Sequence, residues 1–380
     1  MTTDSLYIKT HKISNFTAIF KNDIVFTASL CLALASCLIS IPDASYINFK
    51  VIICLFNLMI VIKAFDELKL LERFANGILN SCTNSRSVSM ILIALSFFAS
   101  MLITNDIALI TLVPITLIIS KKSEMDILTT VILETLAANI GSSLTPMGNP
   151  QNLFIFSYYH LTALEFFTPV MFFAVSGFLW LCVLNYKSKN SDINICLKEI
   201  KIKSKSKTLV WILLFLIIIL SVFGIVNYIL ALFLTLLITL VIDRKLILKV
   251  DYILLLTFVC FFIFIGNISH VKYVESFMRS TLGSGSSTYF SSILLSQFIS
   301  NVPCSVFLSR FTSNWHQLLL GVNIGGMGTI IASLASIISY KLFVKENPSS
   351  GKKYLYKFSI YNILSLAVFT IFNYFVLIRT

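Results

Sequence analysis

Apolar runs of 12 to 18 residues recur along the chain. Such runs span 24–41, 51–62, 209–225 and 252–265, and a helix needs about 20 apolar residues to cross the hydrocarbon core. Only 12% of the 380 residues are charged, and the mean hydropathy is +0.90, whereas soluble domains carry about 25% charged residues. The sequence therefore excludes a soluble globular fold and predicts an all-α polytopic membrane protein.

The positions of Lys and Arg predict which apolar stretches cross the membrane. Single spans are predicted at 24–41, 48–64, 165–186, 208–224, 226–242, 251–268 and 358–377, and polar residues interrupt four further stretches at 88–120, 124–160, 287–312 and 314–341. Lys and Arg concentrate in cytoplasmic loops. If 88–120 and 287–312 are re-entrant hairpins, 24 of the 29 Lys and Arg residues lie on the cytoplasmic side, whereas the split is 14 to 15 if both cross. We therefore predict nine crossings, two hairpins and a cytoplasmic N-terminus.

The two hairpins then open toward opposite sides, which predicts an inverted repeat. The predicted parts are a cytoplasmic segment 1–23, a first repeat 24–186 with hairpin 88–120 and broken helix 124–160, a basic cytoplasmic linker 187–207, and a second repeat 208–380 with hairpin 287–312 and broken helix 314–341. The amphipathic stretches 66–79 and 271–282 precede the hairpins. The net charge of +12 is explained by the cytoplasmic loops, so nucleic-acid binding is not predicted.

The four interrupted stretches share polar motifs. A hydroxyl residue followed by Asn stands at the centre of each hairpin, as Thr104-Asn105-Asp106 and as Ser300-Asn301-Val302. Asn-Ile-Gly occurs in each broken helix, at 139–141 and 323–325, and these helices also hold Gly148, Gly326, Gly328, Pro146 and Pro150. Unwound backbone at membrane depth is tolerated only where protein buries it or where it lines a cavity.

Paired broken helices in inverted repeats are the architecture of secondary transporters. We predict half-helices that begin just after Asp106, Asn149, Val302 and Gly328, with Pro150 and Pro303 at first helical positions. Asn105, Asn139, Asn301 and Asn323 either bind a ligand directly or satisfy freed backbone groups, and the sequence leaves both roles open.

Two acids lie within the predicted membrane region. Asp106 is either a functional ionisable group or the N-cap of a half-helix, and Glu134 is either paired or protonated. The eight cysteines are scattered without a Cys-x-x-Cys pair, so neither a metal site nor a disulfide framework is predicted.

The motifs ITNDIALITLVP, ANIGSSLTPMGNPQN, QFISNVP and GVNIGGMGTIIASLAS resemble the signatures of the ion transporter superfamily. That group includes divalent anion:sodium symporters for citrate and other dicarboxylates, arsenical-pump membrane proteins, anion permeases and a branch of sodium/proton antiporters. The resemblance covers the chain from about Asp66 to Lys341. The GNPQN and TND motifs are most similar to the arsenical-pump and anion-permease branch.

The resemblance implies a set of binding residues. In dicarboxylate members the hairpin tips and the unwound helices bind sodium and substrate. The corresponding substrate or ion-binding positions are Thr104, Asn105, Asp106, Asn139, Gly141, Ser142, Ser143, Thr145, Gly148, Asn149, Ser300, Asn301, Asn323, Gly325, Gly326 and Thr329. Sodium would lie at Thr104, Asn105, Asp106, Ser300 and Asn301. Where the family has Thr at the third tip position, this chain has Asp106 and Val302. The resemblance also implies that the first spans of that fold are missing here.

These observations predict a secondary active transporter for a small anion or oxyanion, coupled to sodium or protons. The class of solute is a di- or tricarboxylate, an inorganic oxyanion or an arsenite-like solute. Sodium/proton antiport is the alternative, favoured by Asp106. No hydrolase or protease motif and no nucleotide-binding G-x-x-x-x-G-K-[ST] motif occurs, so an enzyme is not predicted and ATP coupling would need another subunit. The expected location is the cell (inner) membrane, with no cofactor besides the coupling ion; a homodimer is left open.

Overall fold

The computed structural model describes residues 24–120, 126–188, 190–193, 197, 200 and 204–378. This part of the chain is helical and contains no β-strand. Its α-helices are α1 (Ile24–Ser36), α2 (Phe49–Glu67), α3 (Leu70–Leu79), α4 (Ser85–Ile103), α5 (Asn105–Ser120), α6 (Ile127–Ser142), α7 (Pro150–Tyr158), α8 (Ala163–Tyr186), α9 (Lys205–Val222), α10 (Tyr228–Asp243), α11 (Tyr252–Ser269), α12 (Lys272–Thr281), α13 (Gly285–Ile299), α14 (Asn301–Ser309), α15 (Trp315–Gly325), α16 (Leu334–Glu346) and α17 (Gly351–Asn373). Segment 1–23 and parts of the linker 187–207, both predicted to be cytoplasmic, lie outside the described residues.

Five helical segments within the described ranges are long and apolar enough to cross a bilayer. They are α4, α8, α9, α11 and the segment Pro348–Ile378, which contains α17, with mean hydropathies of 1.8 to 2.3. Shorter apolar helices lie at Val25–Ser36, Asn105–Ile119 and Ile127–Ser142. The protein is therefore an all-α polytopic integral membrane protein, as the sequence predicts.

The first predicted span is shorter than its apolar run. The run predicts a span to residue 41, but α1 ends at Ser36. Residues 37–40 form turns and a bend, and Pro42 disfavours helical backbone at Ile41, the residue before it. Asp43 then accepts a hydrogen bond from the Ser45 N–H at 2.7 Å and begins a single 3₁₀ turn.

Helices α1 and α11 form one compact unit, described over 24–47 and 251–271. Asn267 of α11 donates its side-chain amide to the Ser36 hydroxyl oxygen at 3.0 Å. A Cβ atom on Gly266 would lie 2.2 Å from the Tyr46 ring, so glycine permits close approach to that ring. Buried Phe26, Ala33 and Cys260 complete the apolar contact between the two helices.

The second unit, 48–250 and 272–378 in its described residues, contains both predicted hairpins. Helix α5 packs back along α4 after the chain reverses at Thr104, and Val88 and Ile119 at the open end share one apolar cluster. In the second hairpin, the Cys304 thiol of α14 donates to the Ser292 carbonyl of α13 at 3.5 Å. Both reversals fall on the predicted hydroxyl-Asn pairs.

Both broken helices are present, and each break follows its Asn-Ile-Gly motif. The first consists of α6, an unwound segment 143–149 and α7, and the second consists of α15, an unwound segment 326–333 and α16. Helix α7 begins at Pro150, as predicted. Helix α16 begins at Leu334 instead of just after Gly328, and the Thr329 N–H donates to Gln297 Oε1 at 2.9 Å instead of to a helical carbonyl. Pro303 is the third residue of α14, where a missing N–H is also harmless.

The membrane topology can be tested by labelling introduced cysteines. The inverted repeat, its boundaries 24–186 and 208–380, and the sides on which the hairpins open stay predictions. In a cysteine-free background, Ser204→Cys and Ser350→Cys should react with an impermeant reagent only from the cytoplasmic side, and Ser284→Cys only from the opposite side, because the predicted topology gathers 24 basic residues in the cytoplasm. Labelling of Ser204→Cys from outside would overturn the hairpin topology.

Candidate functional site

The two hairpin tips have the same backbone geometry. Thr104 has φ 62° and ψ 146°, and Ser300 has φ 71° and ψ 154°, a region that residues other than glycine rarely adopt. The next residue donates its backbone N–H to an unwound segment in both cases, from Asn105 to the Gly148 carbonyl at 3.1 Å and from Asn301 to the Ala332 carbonyl at 3.0 Å. Each tip is therefore held against the break that follows it along the chain.

Asn139 connects the first hairpin to the second break. Its Oδ1 accepts hydrogen bonds from the Asn105 side-chain amide at 3.1 Å and the Ser333 hydroxyl at 3.0 Å. Its Nδ2 donates to the Ser336 hydroxyl oxygen at 3.4 Å and the Gly326 carbonyl at 3.5 Å. Asn139 is 5% exposed, so these bonds form away from bulk water and leaving any of them unmade would be costly.

Asn323, in the second broken helix, makes the corresponding hydrogen bonds to the first broken helix. Its Oδ1 accepts from the Asn149 side-chain amide at 3.2 Å, and its Nδ2 donates to Asn152 Oδ1 at 2.7 Å and to the Leu319 carbonyl at 2.8 Å. Positions 139, 149 and 152 correspond to 323, 333 and 336 at a constant offset of 184 residues. Equivalent positions of the two broken helices therefore make equivalent hydrogen bonds to each other.

Asn152, Ser333 and Ser336 belong to this network, although they are not among the predicted site residues. Asn152 also donates to the Ser142, Ser143 and Thr145 carbonyls at 3.1, 3.1 and 3.2 Å, which satisfies freed carbonyls at the end of α6. Two signals in the sequence could have identified them. Asn152 closes the GNPQN motif, and the offset of the repeat places the two serines opposite Asn149 and Asn152.

Three predicted hydroxyl residues donate to backbone carbonyls. The Ser142 and Ser143 hydroxyls donate within α6, to the carbonyls of residues 139 and 140 at 3.1 and 2.6 Å, and the Thr145 hydroxyl donates to the Met101 carbonyl of α4. Their oxygen lone pairs stay available as acceptors, and Asn149 Nδ2 uses that of Ser142 at 3.2 Å. Ligand binding by these hydroxyls stays a prediction.

The glycines of the two Asn-Ile-Gly motifs allow close helix packing. A Cβ atom on Gly141 would lie 2.1 Å from the Phe97 carbonyl oxygen of α4, and one on Gly325 would lie 2.8 Å from Ser296 Cβ of α13. Each broken helix thereby approaches the first helix of its own hairpin. Ligand binding by these glycines, and by the two that follow them in the breaks, stays a prediction.

Thr329 of the second break is hydrogen-bonded to Gln297 of α13. Its N–H donates to Gln297 Oε1 and its hydroxyl to the Gln297 carbonyl, both at 2.9 Å, while Gln297 Nε2 donates to the Gly325 carbonyl at 2.8 Å. A Cβ atom on Gly328 would lie 2.3 Å from Gln297 Oε1. Gln297 therefore sets the path of the unwound backbone at its glycine-rich end.

Comparison with known proteins identifies the family. The citrate transporter family model matches residues 16–314 of this chain, a range that includes both hairpins and the first broken helix. The chain belongs to the citrate transporter family.

Relatives of this family member carry transporter or membrane-protein names. An uncharacterized transporter of Methanocaldococcus jannaschii is 40% identical over 300 residues, which cover 78% of this chain and 81% of the relative. The inner membrane protein YbiR of Escherichia coli is 28% identical over 345 residues, 87% of this chain and 88% of its own. A Dictyostelium discoideum protein named as an arsB transporter is 31% identical over 140 residues, 37% of this chain and 24% of its own. Two of these three names describe transporters.

In this citrate transporter family member, helix N-termini provide positive partial charge around the two breaks. The N-termini of α5, α7, α14 and α16 are joined through the tip bonds and the Asn139 and Asn323 networks. A helix N-terminus carries a partial positive charge. No Lys or Arg takes part in the hydrogen bonds of these networks as far as the described residues go. Backbone and side-chain amides with helix dipoles are therefore the positive groups.

Asp106 lies next to this region in the first turn of α5, one residue inside the helix and not at the position before it that an N-cap occupies. The helix already includes Asn105, whose Oδ1 accepts the Asp106 N–H at 3.1 Å, and Asp106 is half-buried in the first turn. Of the predicted sodium ligands, Thr104, Asn105 and Asp106 share one tip, and Ser300 and Asn301 share the other. In the described part of the chain, no cluster of three or more His, Cys, Asp and Glu residues could hold a metal ion. Sodium binding at the tips stays a prediction.

Proposed function

We propose that this protein is a secondary active transporter that moves a small anion or oxyanion across the membrane, coupled to sodium ions or protons. The observation that carries the proposal is the interlocked pair of helix breaks, in which Asn139 bonds the second break and Asn323 bonds the first. Discontinuous helices that meet inside the bundle are how secondary transporters build binding sites. The proposed solutes are di- or tricarboxylates such as citrate, inorganic oxyanions and arsenite-like solutes.

The chemistry of the region favours an anion. Helix N-termini and amide N–H groups bind carboxylate and oxyanion oxygens, and the asparagine networks place four such N-termini together. Movement of the hairpins and breaks as a body, by elevator-like or rocking motion, would expose the bound anion to each side in turn. The solute needs no lysine or arginine partner in this arrangement.

Sodium/proton antiport is the second candidate function, and Asp106 favours it. A half-buried carboxyl beside the tip is a group that protons and cations could occupy alternately. Sodium uptake driven by a pH gradient in the absence of any anion would support antiport. Anion uptake that needs sodium would support the leading proposal.

The proposed setting is the cell (inner) membrane with a cytoplasmic N-terminus. One relative is named an inner membrane protein, and the basic residues favour this orientation. The proposed partners are the small anionic solute, the surrounding lipid and, as a homodimer, a second copy of the chain.

Thermal unfolding of purified protein with a panel of anions tests the proposed binding. A ligand that binds only the folded state stabilises it by about 2.7 kcal/mol at 100 times its Kd. We expect one class among citrate, succinate, sulfate, phosphate and arsenite to raise the unfolding temperature, and sodium or acidification to enlarge the shift. Chloride at equal ionic strength is the control. A shift with sodium alone would favour antiport, and no shift with any anion would contradict the proposal.

A further inference from the structure

Glu134 is a buried acid that the proposed anion site does not use. It lies in α6, five residues before Asn139, or about 7.5 Å along the helix axis, and its exposure is 0%. Its Oε1 accepts a hydrogen bond from the Thr116 hydroxyl of α5 at 2.9 Å, and its Oε2 has no hydrogen-bond partner among the described residues. The residues of α6 from 128 to 142 are all buried, so protein encloses this carboxyl.

The Thr116 hydroxyl can serve Glu134 in either protonation state. It lies 2.9 Å from Glu134 Oε1 and 3.3 Å from the Leu112 carbonyl, so two acceptors share one hydrogen. When Glu134 is ionised, Thr116 donates to the carboxylate. When Oε1 carries a proton, the carboxyl O–H donates to Thr116 Oγ, and the Thr116 hydroxyl turns to the Leu112 carbonyl. Rotation of one hydroxyl therefore accommodates the gain or loss of one proton.

No ion pair joins Glu134 to a cationic side chain within the described residues. The ionisable groups on the helices packed against α6 include Arg86 on α4, Asp106 on α5, Cys182 on α8, His316 on α15, Tyr340 on α16, and Tyr354 and Lys357 on α17. The Tyr354 hydroxyl lies 3.0 Å from the Ser339 hydroxyl, with which it shares a hydrogen bond. Lys357 is bonded to Asp126 and Thr129, and Arg86 donates to the Ser188 carbonyl at 3.0 Å.

Asp126, at the start of the same helix, is an acid that has a cationic partner, in contrast to Glu134. Asp126 is exposed, and it accepts hydrogen bonds from the Thr129 hydroxyl at 2.6 Å and from Lys357 at 3.0 Å, which stabilise its carboxylate. Asp126 thus keeps its charge near neutral pH. Glu134 has neither the cation nor the second donor, so its neutral form is the one that its surroundings accept.

The position of Glu134 connects it to the proposed anion site. Helices α5 and α6 are joined by the Thr116–Glu134 bond and, nearer the tip, by the Asn105–Asn139 bond. Asn139 in turn holds Gly326 and Ser333 of the second break. A change of charge at Glu134 therefore acts on the helix pair that carries the first tip and half of the asparagine network.

The surroundings of Glu134 suit a proton better than a metal cation. A hard cation takes several oxygen ligands. The residues one turn from Glu134 along α6 are Thr130, Val131, Ala137 and Ala138, of which only the first has a side-chain oxygen. A proton needs one oxygen, and Glu134 supplies it.

We propose that Glu134 is the proton-binding site of this transporter. Its carboxylate takes one proton from water on one side of the membrane, stays neutral while the substrate moves, and returns the proton to water on the other side. This inference rests on the proposed transport function, because it assigns the proton that drives transport to one carboxyl.

Infrared spectroscopy tests the proton-binding step without any transport assay. The C=O stretch of a neutral carboxyl is separate from the bands of a carboxylate, so a pH titration follows the protonation of a buried acid. We expect a titrating carboxyl band in the wild-type protein that is lost in Glu134→Gln. Glu165→Gln, which removes an exposed acid from the capping box of α8, is the matched control and should keep the band. The glutamine side chain can still accept the Thr116 hydrogen bond, so Glu134→Gln should fold. Glu134→Asp keeps a carboxyl at this position and should show a shifted band, which distinguishes loss of the acid from misfolding.

Vesicle uptake tests the coupling step. Proteoliposomes under a pH gradient receive radiolabelled citrate, succinate, sulfate, phosphate or arsenite in turn. Uptake by Glu134→Gln should lose its dependence on the gradient but keep exchange of anion at equal pH, and Glu165→Gln should match the wild type. An unchanged infrared band or an unchanged gradient dependence in Glu134→Gln would overturn the inference. So would an Asp106→Asn variant that loses both the infrared band and the gradient dependence while Glu134→Gln keeps them. If the wild type moves none of the anions, the proposed function fails, and the infrared titration still decides whether Glu134 binds a proton.

Discussion

Gly141→Ala should lower the unfolding temperature strongly, whereas Gly77→Ala should leave it unchanged or raise it. A Cβ atom on Gly141 would lie 2.1 Å from the Phe97 carbonyl oxygen and 2.7 Å from Ser100 Oγ. The clashing carbonyl belongs to the backbone of α4 and cannot move aside without separating α4 from α6. Overpacking of this kind costs about 1–3 kcal/mol or more, and the separation would also break the tip-to-break bonds.

Gly77 is the matched control for this substitution. It lies inside α3, and a Cβ atom there would have nothing within 4 Å. Alanine inside a helix is favoured over glycine by about 0.5–1 kcal/mol, so Gly77→Ala should be neutral or stabilising. Thermal unfolding in detergent measures both variants. Equal unfolding temperatures for the wild type and Gly141→Ala would contradict the close packing of α4 against α6.

Asn139→Ala and Asn323→Ala should each abolish substrate uptake while leaving protein inserted in the membrane. Each change removes the side chain that bonds one break to the other and leaves buried partners unsatisfied, at about 1–3 kcal/mol of stability each. Because the two residues occupy equivalent positions, we expect equal losses in the two variants. Uptake per folded molecule in proteoliposomes is the measurement.

Asn362→Ala is the control for loss of a buried amide. Asn362 is also 0% exposed, but its side-chain amide donates to the Phe358 carbonyl of its own helix at 3.0 Å. Uptake should therefore persist in this variant. Near-normal uptake in both Asn139→Ala and Asn323→Ala would show that these amides only satisfy backbone and neighbouring side chains.

The hairpins and breaks could be predicted because their signals are local. At Thr104 and Ser300 a hydroxyl-Asn pair interrupts an apolar run, and the chain reverses there with positive φ. The end of α1 could not be predicted from hydropathy, because α1 ends at Ser36 although the apolar run continues to Ile41. The Asn-Ile-Gly motif likewise marks the neighbourhood of a break, yet Gly141 stays in α6 and the unwound segment begins two residues later, at Ser143.

The partners within the site could not be predicted from local patterns. Ser333 is separated from Asn139 by 194 residues, and serine is common at interfaces between membrane helices. Only the constant offset between the broken helices, applied to the GNPQN motif, points to the two serines. The exchange of hydrogen bonds between the halves is a tertiary feature, and so is the isolation of Glu134 from cations.

Gradient-driven uptake of labelled anions into proteoliposomes tests the central claim most directly. With the panel of citrate, succinate, sulfate, phosphate and arsenite, the wild type should accumulate at least one anion against its concentration gradient when a sodium or proton gradient is imposed. The Asn139→Ala and Asn323→Ala double variant should accumulate none, and Asn362→Ala should match the wild type. Folded wild-type protein that moves none of these anions under either gradient, or a double variant that accumulates them as the wild type does, would contradict transport through the interlocked breaks.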